Sequence, residues 1–174
     1  MFGRMKRDGG DGLRLTRKQA GSDLAGRVFE HLQSRCLSSG LGDVEWMQSL
    51  TPAQRAVYSV GTVERAVQGE GWDGYFWNDS GDSYPEAVEG ARLLGSEAWL
   101  TLLRDAGEAF PGGYSRDIDE RQSALEGLDD EEKERRFAPL DERLYALDLD
   151  GATPLDGLLV VLIEKHAGDF FTDG

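Results

Sequence analysis

The sequence predicts an all-α fold, and two observations support that prediction. From residue 22 onward, apolar residues recur at spacings of three and four, and no segment shows the strict alternation of a half-buried strand. Leucine outnumbers isoleucine and valine together by 22 to 11, and leucine favours helices whereas β-branched residues favour strands. A chain of 174 residues suits one domain. We therefore expect a single compact multi-helix domain.

Capping signals and glycines divide this domain into successive helices. The clearest start is Thr51-Pro52-Ala53-Gln54, because threonine can cap the helix, proline suits its first position and glutamine completes a capping box. Gly69 and Gly71 are expected to end that helix, and Pro139 is expected to interrupt a later one. The other helices are predicted near residues 24–36, 43–47, 83–94, 96–110, 117–127, 129–137, 140–147 and 153–163, with Ser83 and Ser96 as caps and Gly95 as an end.

The N-terminal segment has a different composition. Residues 1–21 are rich in glycine, lysine and arginine and have no apolar period, which predicts a disordered basic tail in front of an acidic domain at residues 22–174. A solvated terminus without function is one interpretation of the tail. Contact with the acidic domain or with nucleic acid is the alternative.

Charge narrows the classes of partner. The chain has 33 acidic and 19 basic residues, a formal net charge of −14, and the excess of acid begins after residue 35. Such a surface repels nucleic acid and anionic membranes and attracts basic proteins. We expect a basic partner, no direct binding of the acidic domain to nucleic acid, and no membrane contact.

No pattern indicates a metal, a cofactor or a catalytic nucleophile. His31 and His166 are far apart and Cys36 is the only cysteine, so the pairs of ligands that zinc sites use do not occur. Gly69-x-Gly71-x-x-Gly74 matches the dinucleotide fingerprint but follows a helix instead of a strand. We expect a protein without enzymatic activity, and paired carboxylates leave an unrecognised enzyme as a further alternative.

The expected location is the cytoplasm. The longest aliphatic run, at residues 158–163, is far shorter than the about 20 residues that span a bilayer. The charged residues near the start are not followed by the apolar stretch of a secretory signal.

Four aromatic residues lie close together at Trp72, Tyr75, Phe76 and Trp77. The first three are spaced i, i+3 and i+4, so one helical turn can bury them together. This spacing predicts a structural aromatic motif in the core, with an exposed recognition patch as the alternative.

Acidic residues are concentrated between positions 117 and 142. On a helix, acids three or four positions apart lie about 5–6 Å from each other. Two such helices side by side would carry about one charge per 2.5–3 Å, approaching the one per about 1.7 Å of duplex DNA. A solvated face is the other interpretation. The candidate partner-binding residues are Asp117, Asp119, Glu120, Glu126, Asp129, Asp130, Glu131, Glu132, Glu134, Asp141 and Glu142.

Several motifs occur in an order that is typical of one known family. They are Gly71-Trp72-Asp73-Gly74-Tyr75-Phe76-Trp77-Asn78, Ser80-Gly81-Asp82, Leu94-Gly95-Ser96-Glu97, Arg121-Gln122-Ser123-Ala124-Leu125 and Leu140-Asp141-Glu142-Arg143-Leu144-Tyr145. In this order they resemble the DNA mimic protein 19 family over roughly residues 41–170. The resemblance implies an acidic all-α domain without catalytic residues, a homodimer, and a negative surface that imitates duplex DNA and occupies a transcription factor.

Three functions without catalysis are consistent with these observations. The first is sequestration of a basic partner, in particular a DNA-binding regulator, by imitation of phosphate charge. The second is an immunity-type protein that neutralises a toxin, in which acidity accelerates association. The third is a helical adaptor whose acidity serves solubility only.

Overall fold

The computed structural model describes residues 11–149 and 154–173. It confirms the all-α prediction, because these ranges contain ten α-helices and no β-strand. Two short 3-10 turns occur at Asp11–Leu13 and Asp79–Ser83. The helices are α1 (Arg17–Ala20), α2 (Leu24–Ser39), α3 (Asp43–Ser49), α4 (Pro52–Trp77), α5 (Tyr84–Leu94), α6 (Glu97–Ala109), α7 (Ile118–Glu126), α8 (Asp130–Leu149), α9 (Leu155–Lys165) and α10 (Ala167–Phe170).

Helix α4 is the centre of the fold, since α2, α5, α7 and α8 all pack against it. Its start is the predicted capping box: Thr51 Oγ1 accepts the Gln54 N–H, and Gln54 Oε1 accepts the Thr51 N–H at 3.1 Å. The predicted end differs, because the helix continues through Gly69 and breaks only at Gly71, where φ is 74° and ψ is 176°. After this kink the helix continues to Trp77. The kink therefore turns the aromatic motif inward at the end of α4.

The predicted interruption at Pro139 is wrong. Helix α8 runs from Asp130 to Leu149 with Pro139 inside it. A proline inside a helix removes one hydrogen bond and costs about 3 kcal/mol. The proline itself is exposed, whereas Phe137, Leu140 and Leu144 around it are buried where α8 packs against α4 and α6. Burial of these flanking side chains offsets the cost of the proline.

Residues 11–21 differ from the expected tail, because they pack against the C-terminal segment. Leu15 donates its N–H to the Phe170 carbonyl at 2.8 Å and accepts the Thr172 N–H at 3.0 Å. Arg17 forms two hydrogen bonds with Glu164, at 2.9 and 3.0 Å, and its guanidinium lies over the Phe171 ring. Burial of apolar side chains and these long-range contacts order a segment whose local pattern predicts none. Residues 1–10 of the predicted tail lie outside the described residues.

Candidate partner-binding surface

The aromatic motif forms the core beside the kink. Trp72, Tyr75 and Phe76 are completely buried, and Trp77 is half-buried. The Phe76 ring is at the centre of this cluster, with its centroid 5.1 Å from those of Tyr75 and Phe110. Because Trp72, Tyr75 and Phe76 are buried, they do not form an exposed recognition patch.

Arg121 holds the end of the aromatic motif in place, and it is itself fully buried. Its guanidinium donates to the Phe76 carbonyl at 2.8 Å, to the Asn78 carbonyl at 3.1 Å and to the Asp82 carboxylate at 2.8 Å. It also donates to the carbonyls of residues 115 and 116. All five N–H groups of the guanidinium are thus hydrogen-bonded, and these bonds attach α7 to the end of α4. The sequence offered no signal for this role beyond the family-like motif in which Arg121 lies.

Asp141 attaches α8 to the kink in α4. Its carboxylate accepts the Trp72 N–H at 2.9 Å, at the start of the stretch that follows Gly71. A Cβ atom on Gly71 would lie 3.2 Å from the same carboxylate, so glycine suits this close approach as well as the positive φ. The half-buried carboxyl has its pKa raised to about 6 by burial, against the opposing effect of the Trp72 N–H, while Asp73 and Glu134 raise the pKa further.

The acids of α8 lie on two neighbouring strips of its surface. At about 100° per residue, Asp130, Glu134 and Asp141 fall within about 40° of each other, beside α4. Asp73 of α4 faces this strip, and the four carboxylates together with Lys133 line a groove of about 220 Å³. Glu131 and Glu142 lie on the solvent side of the helix and are exposed. Helix α8 therefore brings five of the predicted acids together.

Asp73 is the acid that the sequence analysis missed. It lies inside the aromatic motif, forty residues or more from the predicted acidic segment, and only the packing of α8 against α4 brings it to the groove. No local signal could have found it, because the contact depends on the kink at Gly71.

The acids of α7 form a separate group. Asp119 and Glu126 are seven residues apart and share one face of that helix, and Glu120 is exposed on another face. Within the described residues, α7 and α8 each pack on α4 and do not form an extensively packed pair. The two acidic helices, which the comparison with duplex DNA placed side by side, are therefore not extensively packed against each other.

Three of the predicted acids have local structural roles. Asp117 caps α7 by accepting the N–H groups of Asp119 and Glu120, at 2.9 and 3.2 Å. Asp129 accepts the Glu132 N–H at 2.8 Å in the first turn of α8. Glu132 is paired with Arg135 and Arg136, whose hydrogen bonds hold the pKa of this partly exposed carboxyl below its usual value. Asp117 and Asp129 are exposed, whereas the charge of Glu132 is compensated by its two arginine partners.

We expect Asp141→Asn to stabilise the protein at pH 7 by about 1 kcal/mol, a value that allows for partial exposure of the carboxyl. The asparagine oxygen can still accept the Trp72 N–H, and the substitution removes a charge that burial and two neighbouring carboxylates disfavour. Since the pKa is raised in the folded state, wild type gains stability as the pH falls through about 6, when Asp141 binds its proton.

Urea unfolding at a series of pH values measures this difference. The advantage of the variant should shrink toward zero between pH 7 and about pH 4. Glu142→Gln, at the exposed neighbouring position, is the matched control and should change stability little. A constant difference between Asp141→Asn and wild type at all pH values would show that titration of Asp141 is not its cause.

The described residues hold no group of three or more histidine, cysteine or carboxylate side chains that could bind a metal. His31 lies near the N-terminal turn, with Nε2 3.0 Å from the Gly12 carbonyl, and Cys36 is buried and donates to Asp43. Burial raises the pKa of the Cys36 thiol. None of the described helices has the length and apolar character that crossing a membrane requires.

The fold and the charge define an acidic, all-helical protein with a carboxylate-lined groove beside a buried aromatic motif. The family described as DMP19-like protein matches residues 48–166, which is more than half of the chain, so the chain belongs to this family. The match confirms the resemblance and includes α4 to α9 in full. No curated protein and no solved structure matches the chain significantly.

Proposed function

We propose that this protein binds a basic partner, in particular a DNA-binding regulator, and presents carboxylates to it in place of DNA phosphates. The observation that carries the proposal is the row of acids along α8. Membership of the DMP19-like family and the net charge of −14 support it. The protein would act by occupying its partner, without catalysis.

The spacing of the acids on α8 approaches the spacing of phosphates on one DNA strand, and Lys133, Arg135, Arg136 and Arg143 on the same helix reduce its net negative charge. Asp130, Glu131, Glu134, Asp141 and Glu142 lie within about 18 Å of helix, so their mean spacing along the helix axis is about 4.5 Å. One strand of B-DNA carries one phosphate per about 3.4 Å along its axis. The acids of α7 and Asp73 extend the negative surface on either side of this row.

The strongest contributors should be the acids that have no competing partner. Among the described residues, Glu131, Glu134 and Glu142 are exposed and form no hydrogen bond or salt bridge, and Arg135, which pairs with Glu132, also interacts electrostatically with Glu131. Such charges attract a partner over about a Debye length, roughly 8–10 Å at physiological salt, and they accelerate encounter more than they prolong binding.

We expect a triple variant, Glu131→Gln, Glu134→Gln and Glu142→Gln, to bind purified basic DNA-binding domains at least about tenfold more weakly at low salt. The dependence of log Kd on log salt should also become less steep, because fewer ionic contacts remain. Isothermal titration calorimetry over a salt series measures both quantities.

A control variant with the same change in net charge separates the effect of the acids on α8 from the effect of the overall negative charge. The variant Glu45→Gln, Asp79→Asn, Asp156→Asn removes three exposed acids outside α8 and should bind close to wild type. Binding that does not respond to salt, or equal weakening by the two triple variants, would rule out α8 as the mimicking surface.

A further inference from the structure

A second groove lies between α6 and α8, on the other side of α8 from the acidic groove. Its volume is about 730 Å³, which is within the range of ligand-binding pockets. Leu102 is buried at its base, and Ala98, Ala146 and Leu147 contribute apolar surface. Most of the surface that it offers to a ligand is therefore hydrophobic.

The charges at the rim do not oppose a basic ligand. Glu97 is exposed at one end of the groove. Arg143 lines the groove as well, but its guanidinium is 2.6 Å from the Asp105 carboxylate, so its positive charge is compensated. The exposed Glu142 lies next to Arg143 in the chain. The rim is net negative, as is the helix surface next to it.

The α6–α8 groove and the acidic groove lie on opposite flanks of α8. At about 100° per residue, Arg143, Ala146 and Leu147 lie on the flank opposite Asp130, Glu134 and Asp141. Glu131 and Glu142 lie on the solvent side between the two flanks. A segment that lies across α8 can place basic side chains on these acids and an apolar side chain in the groove.

We propose that the α6–α8 groove receives an apolar side chain, such as leucine, of the basic segment that the acids of α8 attract. This inference rests on the proposed function and adds a source of affinity and selectivity to it. Attraction between charges weakens with salt, whereas burial of an apolar side chain does not. Highly basic segments that lack the apolar residue are bound less tightly, so the protein selects among basic partners.

Two synthetic basic helical peptides of equal length and charge test this inference on the full chain. One carries leucine on successive turns of one face, and the other has alanine at those positions. Wild type should bind the leucine peptide at least about tenfold more tightly, since burying one leucine side chain alone can account for that factor. Both peptides should show the same dependence on salt.

Ala146→Trp fills the groove, and Val161→Trp adds the same side chain at a position on α9 that is 67% exposed. Circular dichroism and thermal unfolding verify that both variants fold. Ala146→Trp should lose the preference for the leucine peptide and retain the salt dependence. Val161→Trp should retain the preference.

Equal binding of the two peptides, or a preference that survives in Ala146→Trp, would overturn the inference. If salt-dependent binding persists without the preference, the proposed function stands and the groove has no part in it. If neither peptide binds, both proposals fail. A preference that arises only after removal of residues 1–10, or a change of oligomeric state in Ala146→Trp, would assign the groove to the chain itself or to a second copy, and the inference would be wrong.

Discussion

Replacing Arg121 with alanine is expected to lower the free energy of unfolding by about 3–5 kcal/mol, because removing one partner of a buried charged network leaves the others without compensation. The side chain is completely buried and makes hydrogen bonds to four backbone carbonyls and to Asp82. Lysine should not restore stability, since its ammonium group has three donors and no planar fork. Urea unfolding followed by circular dichroism measures the change.

The control for Arg121 is an arginine whose interactions are exposed. Arg27 pairs with Glu30 on the surface of α2, and Arg27→Ala should change stability by about 0.5 kcal/mol or less. If Arg121→Ala were no more destabilising than Arg27→Ala, the attachment of α7 to the end of α4 would not depend on this side chain.

Phe76→Ala is expected to cost about 3–5 kcal/mol, the usual range for removing a buried phenylalanine. The ring is fully buried and contacts six other aromatic rings, so its loss leaves a cavity that the rigid neighbours cannot fill. Guanidinium unfolding provides the measurement.

Trp77→Ala is the matched comparison for Phe76, since it removes the next aromatic side chain of the same motif. Trp77 is only half-buried, and the loss of stability should be clearly smaller. Equal effects of the two substitutions would contradict the central position of Phe76 in the core.

Local signals predicted the helices well where a side chain acts on its own turn. Thr51 and Ser96 cap α4 and α6 as their sequences indicate, and Gly95 ends α5 in the left-handed conformation. Each of these interactions spans at most four residues. The helical spacing of apolar residues is also a local property of the sequence, so the fold class could be predicted from it.

Long-range packing accounts for the features that the sequence could not predict. A buried arginine is rare, and nothing near Arg121 indicates the carbonyls of Phe76 and Asn78 that surround it in space. The helix through Pro139 and the ordered segment at residues 11–21 also depend on distant contacts. The sequence showed that acidic residues cluster between positions 117 and 142. It did not show which of them lie on α8, which lie on α7 and which cap a helix.

Competition with DNA tests the proposed mimicry most directly. A basic DNA-binding domain is loaded with a fluorescent duplex, and the protein is added at several salt concentrations while anisotropy reports the bound duplex. The account predicts full displacement of the duplex by wild type at low salt, and much weaker displacement by the variant that lacks Glu131, Glu134 and Glu142. A complex that contains the domain, the duplex and this protein together would contradict it, because a surface that replaces phosphates cannot share their site.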